Sequence, residues 1–289
     1  MVTKESILLS LQRRLPKFIE KHIDLIEYAQ QRYKEDPSHW DFLVSQLWDL
    51  GQLYLANNEI DKAKKCFAEG VNITLNGNRI REDILPMTRG EYETPLKAYL
   101  GCIEAGKIYS NDHIPTDVTF KKIDDYIRVY KSWHYGLYGL ILGNDCQVQL
   151  VIDFLEEKTK DFKLGADGMP PSITHTRGSL AYTVYYMKML KSILRNDSEE
   201  FSRNLDLSSR LRSKLLSQSD NPMALISLGL VVLYDMALSR GLRPNVETPF
   251  IPEDIIKNGY WFKPKLDCTP FSGHVEQRPK VEKHDAKTS

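Results

Sequence analysis

Apolar residues recur at helical spacing along most of the chain. After Ser38 they fall at Trp40, Leu43, Val44, Leu47, Leu50 and Tyr54, one stripe of a helix. Ser38 with Asp41 three residues on reads as a capping box for it. The next stripe opens at Asn58 and continues through Ile60, Ala63, Phe67 and Val71, with Asn76-Gly77 as its stop. Phe120, Ile123, Ile127 and Tyr130 mark another. Leu150 to Phe162 follows with a charged outer face, then Leu180, Val184, Met187, Leu190 and Leu194, then Phe201, Leu205, Leu211 and Leu215. Strand alternation is absent, apart from a short extended piece at Asn245–Glu247. The pattern predicts an all-α chain, a multi-helix globular bundle of about ten helices of three to four turns each.

One stretch departs from amphipathic striping. From Met223 to Leu238 the only clearly polar positions are Ser227 and Asp235. A helix apolar on every side belongs in the centre of a core. Asn221 suits its cap and Pro222 its first position, where no backbone N–H is needed. Arg240-Gly241 is the expected stop.

Two loops interrupt the helices: Arg79 to Pro95, and Gly165 to Gly178, which carries three glycines and two adjacent prolines. The second separates an N-terminal helical half, 1–164, from a C-terminal half, 179–263, packed on it, either as two parts or as one domain. Residues 264–289 lack apolar spacing and read as a disordered tail. Leu50-Gly51, Tyr54, Ala63, Phe67 and Gly70 match the spacing of one tetratricopeptide unit, with Leu47 where that pattern has tryptophan. No second copy lies in register. The expectation is a single helical hairpin of that kind inside a globular fold.

Charge narrows the partners. Lys plus Arg balances Asp plus Glu at 39 each, so the chain lacks the basic excess of a general nucleic-acid binder. The start shows no signal-peptide core, and the apolar run is too short to span a bilayer, so no membrane role is expected. Gly139-x-x-x-Gly143 sits in too short an apolar stretch for a membrane dimer motif. Cys66, Cys102, Cys146 and Cys268 are scattered and read as reduced thiols in a cytoplasmic protein.

Catalytic patterns are weak. Gly101-x4-Gly106-Lys107 has phosphate-loop spacing, but Ile108 replaces the Ser or Thr that would hold magnesium, and no strand precedes it. None of the seven histidines pairs at i, i+4 with another, so no metal site is expected. No cofactor and no enzymatic activity are expected. Two places carry binding potential. His175 and Arg177 open a helix after the long loop, where exposed N–H groups attract anions; capping and packing is the competing account. Trp133, His134 and Tyr135 form an aromatic cluster, a buried seam on one reading and an interface anchor on the other. The fifteen tyrosines suit a surface that is both wet and adhesive.

The stretch ending DMALSRGLRPNVETPFIPEDII resembles the close of immunity protein family forty-nine from bacterial polymorphic toxin systems. That pattern runs from an apolar helix into Arg-Gly-Leu, an extended piece, Ser/Thr-Pro-aromatic and a Pro-started helix. Here the positions are Arg240, Gly241, Leu242, Thr248, Pro249, Phe250, Ile251 and Pro252. GNDCQVQLVIDFLEE from Gly143 is similar to the family's Gly-Asp helix start, with Asn144 inserted before Asp145. The resemblance spans roughly Trp40 to Ile256. It implies a helical antidote in the bacterial cytoplasm that binds a cognate toxin and blocks it by occlusion. A tetratricopeptide-like scaffold for another protein is the alternative. The expected toxin contacts are Trp133, His134, Tyr135, His175 and Arg177.

Overall fold

A computed structural model describes residues 4–78, 99–101, 129, 132–172, 175–216 and 221–259, with backbone alone at 4–5, 75–78 and 175–177. Among them the chain forms nine α-helices and no strand. These are α1 (Lys4–Glu35), α2 (Trp40–Ala56), α3 (Ile60–Asn78), α4 (Trp133–Ile141), α5 (Asp145–Thr159), α6 (His175–Arg195), α7 (Ser198–Leu216), α8 (Leu228–Ser239) and α9 (Glu253–Asn258). The all-α bundle read from the apolar spacing is the architecture found. The predicted helix at 120–130 apart from buried Val129, the loop 79–95, Gly106 and Lys107, Cys102, Cys268 and the tail lie outside the described residues.

The first layer is α1, α2 and α3. α1 buries Leu11, Leu15, Ile19, His22, Ile26 and Ala29 along one stripe against α2. Its proline, Pro16, sits on the exposed side. α2 and α3 form the predicted hairpin. A Cβ on Gly51 would stand 2.9 Å from the Phe67 ring, and one on Gly70 would stand 2.4 Å from the Trp48 indole. Trp48, one residue beyond the position where the tetratricopeptide pattern holds tryptophan, fills this gap. The second layer is α4 to α7, each packed on its neighbour in the chain or the next. Gly136 approaches Leu190 and Gly139 approaches Val148 within this layer, whereas Gly143, the second glycine of the Gly-x-x-x-Gly spacing, has φ +68° and no neighbour to pack against among the described residues, so it serves the turn before α5. α8 runs among α4, α6 and α9 with ten of its residues buried.

Three boundaries differ from the sequence expectation. α2 begins at Trp40 after a 3-10 turn, Pro37–His39, and the cap is Asp36, which accepts the Ser38 N–H at 2.9 Å. Proline at the first position of that turn moves the start forward. Asn58 lies in the left-handed region, φ 59°, so α3 starts two residues later, at Ile60. The apolar run at 222–239 is not one helix. Asn221 caps a 3-10 turn, Pro222–Leu225; Ile226 and Ser227 are extended; α8 then starts afresh. Counted from Pro222 to Ser239 the run does reach the length and apolarity of a membrane span, against the expectation that it is too short, and in this fold most of it is buried.

Candidate functional site

The break in the apolar run is held by side chains from both layers. Gln52 of α2 donates to the Met223 carbonyl at 2.7 Å and to the Ile226 carbonyl at 3.3 Å. Arg212 of α7 donates through Nε to the Ala224 carbonyl at 3.2 Å and through Nη2 to the same Ile226 carbonyl. Its guanidinium also lies 5.4 Å from the centre of the Phe250 ring. Carbonyls that a continuous helix would satisfy internally are satisfied here from outside, which removes the penalty for the break. Ser227 leads into α8 without capping it. Its hydroxyl pairs with Tyr186 at 3.3 Å instead, and its N–H donates to the Phe250 carbonyl at 3.0 Å.

Around this clasp lies an aromatic seam. The Trp133 ring stacks on His134 at 3.8 Å and meets Tyr186 edge-on at 4.5 Å, with Tyr182 beyond at 5.9 Å. Gly229 of α8 is needed here, since a Cβ on it would stand 2.9 Å from Trp133. Trp133 and His134 are each 7 % exposed. They belong to the buried seam, the first of the two readings weighed for this cluster, and leave the set of candidate toxin contacts. Apolar burial against α8 is the physical reason. Tyr135 stays half-buried. Burial raises the hydroxyl pKa of Tyr182, an effect the Arg212 charge opposes, and that of Tyr186, which the hydrogen bond to Ser227 opposes.

The second candidate pair lies at the start of α6. His175 and Arg177 open α6, but their side chains lie outside the described residues. The loop before them is tightly held up to Met169. Gly165 N–H donates to the Met169 carbonyl at 2.7 Å, and the Tyr185 hydroxyl donates to the Gly168 carbonyl at 2.7 Å. Met169 is 2 % exposed and plugs the core, so Gly165, Ala166 and Asp167 are what this part shows to solvent. α5 and α6, the helices it joins, pack side by side.

The motif residues of the closing stretch do come together. Gly241 has φ +90°, the left-handed stop, and Leu242, Phe250 and Ile251 are buried. The run between them crosses α7 on a ladder of serines. The Arg243 N–H donates to Ser198 Oγ and the Asn245 N–H to Ser202 Oγ, each at 3.0 Å. Ser209 donates to Thr248 Oγ1 at 2.8 Å. Arg240 reaches the other quoted motif, meeting Asp145 with Nη2 to Oδ1 at 2.9 Å. Asn144, the inserted residue, is the cap of α5 and accepts the Gln147 N–H at 3.1 Å.

Sequence reading missed Gln52 and Arg212. Nothing marks an arginine inside an ordinary amphipathic helix as the partner of a carbonyl fourteen residues on. Ser227, a second cap-type residue within the apolar run, was the available signal. Of the cysteines, Cys66 is half-buried with its thiol pushed up to about 11 by burial, and Cys146 is exposed. Among the described residues no group of three His, Cys, Asp or Glu converges to hold a metal ion. No family model matches this chain, and no curated protein or solved structure was found to be similar to it.

Proposed function

We propose that this chain is an antidote of the polymorphic-toxin immunity type, acting in the bacterial cytoplasm by binding its toxin and occluding it. One observation carries the reading. The two stretches that resemble the family, around Asp145 and from Arg240 to Pro252, are joined by the Arg240–Asp145 ion pair. Residues ninety-five positions apart that belong to one sequence pattern are neighbours in space. The motifs build structure, not chemistry: a left-handed stop, buried Leu242 and Phe250, and a capped α5. Function then rests on affinity. A standard interface buries about 1,600 Å² and depends on a few aromatic or arginine anchors.

The test is co-expression in a bacterium with the toxin-like gene nearest to this one. Survival that requires an intact, co-purifying complex is the expected result. Death of the cells despite abundant folded protein, or rescue with no complex, overturns the reading. A second reading, a tetratricopeptide-like scaffold, draws on the α2–α3 hairpin with its Gly51–Phe67 and Gly70–Trp48 contacts. It predicts binding of a short extended peptide in isolation, where the antidote reading predicts binding of the folded toxin alone.

A further inference from the structure

The outward side of α1 is divided along its length. Arg14, Lys17, Lys21, Tyr28 and Arg32 fall along one edge at helical steps, with half-buried Leu25 completing the line. All five are exposed, and the line runs for about 27 Å at the rise of an α-helix. Glu20 and Glu27, also exposed, fall with Arg13 on the other edge of the same helix, while exposed Asp24 and Glu35, seven residues on from Lys17 and Tyr28, border the cationic line. Arg32 at the end of the line meets Glu35 at 3.8 Å, whereas Lys17 and Lys21 have no ion-pair partner among the described residues. The cationic edge also carries apolar surface. Tyr28 is 56 % exposed and Phe42, at the start of α2, is 38 % exposed. Their rings meet edge to face at 6.5 Å and 79°. Two aromatic rings held against each other in solvent, on the same edge as Lys17 and Lys21, are a costly surface, and the residue types are those that anchor interfaces.

We infer that this edge, from Arg14 to Arg32 with Phe42, is the surface that docks an acidic face of the partner protein. The inference rests on the antidote reading for the identity of that partner. A polyanion of uniform charge fits poorly. A nucleic-acid backbone or an anionic bilayer large enough to cover the cationic edge would also meet Glu20, Asp24 and Glu27. A folded protein can set carboxylates against one edge and leave the other alone, and it offers pockets for Tyr28 and Phe42. Opposite charge speeds encounter, and the aromatic pair holds the complex once formed.

The experiment uses the full chain and the product of the nearest toxin-like gene, inactivated, with association followed at about 0.15 M salt and above. Lys17→Glu with Lys21→Glu should weaken binding at least tenfold, chiefly through slower association, and should flatten its salt dependence. Tyr28→Ala should speed dissociation. Glu20→Lys with Glu27→Lys should leave affinity unchanged or raise it. Helical circular dichroism and melting should match the parent in all three variants. Equal binding by parent and Lys17→Glu/Lys21→Glu overturns the docking surface and leaves the antidote reading standing. No binding by the parent overturns both. Tight salt-dependent binding of the parent to an anionic phospholipid vesicle or a DNA duplex, lost in Lys17→Glu/Lys21→Glu, overturns the assignment to an acidic protein.

Discussion

Close approach decides what single residues do in this fold. Gly101 opens the phosphate-loop-like spacing, yet what demands glycine there is α3. A Cβ would stand 2.6 Å from the Ala68 nitrogen and 2.8 Å from its Cα. Backbone inside a packed helix cannot step aside as a side-chain tip can. Gly101→Ala should therefore cost about 1–3 kcal/mol, with a fall in Tm of about 2–4 °C per kcal/mol on thermal unfolding. Gly178 of α6 is the contrast, since its nearest neighbour would be Leu215 at 3.8 Å. Gly178→Ala should raise stability by about 0.5–1 kcal/mol through the helix preference of alanine. If both variants melt alike, close packing at Gly101 is not what the position requires. None of this could be read from the sequence, where the two glycines look equally at home.

At the scale of elements, the sequence carried the helices well and their joints poorly. Apolar stripes report which face is buried, so Val184, Met187 and Leu190 on α6 and Phe201, Leu205 and Leu211 on α7 are core residues as their spacing predicts. Caps depend on one backbone angle or one side-chain bond, and here Asp36 took the role expected of Ser38. The divided apolar run is the largest difference, because composition cannot show that donors from α2 and α7 meet at one carbonyl. Both Gln52 and Arg212 bond Ile226 O, so their contributions should not add. Arg212→Met should cost about 2–3 kcal/mol and Gln52→Leu about 1 kcal/mol. In a double-mutant cycle by denaturant unfolding, the pair should couple by at least about 0.5 kcal/mol. Strict additivity would mean that the two side chains do not share that carbonyl.

At the scale of the whole molecule, five of the described tyrosines sit where they must stay neutral. Burial holds the hydroxyl of Tyr185 up to about 12 and pushes those of Tyr138, Tyr182, Tyr186 and Tyr234 upward as well. A folded pKa above the unfolded value means that this stability is fully present below the ordinary tyrosine pKa near 10. It falls as pH climbs toward the folded values, by about 1.4 kcal/mol per pH unit for each such residue. Unfolding should accordingly become cooperative in alkali, with the tyrosinate absorbance of these five residues arriving together with loss of helical dichroism. Smooth titration of the tyrosines in a chain still helical would contradict the buried seam. In the sequence these rings suggested an adhesive surface. The spacing of Tyr182, Tyr185 and Tyr186 places them on one helix, and only the packing of α8 shows which way that helix turns them.

The clasp on Ile226 also bears on how the chain is made. Synthesis runs from the N-terminus, so Gln52 and Arg212 are both made before Ile226. The donors that break the apolar run wait for it. Phe250, whose carbonyl takes the Ser227 N–H, emerges more than twenty residues later. An eighteen-residue segment with the composition of a membrane span is thus broken by donors that precede it in the chain, which denies it the one uninterrupted helix that crossing a bilayer needs.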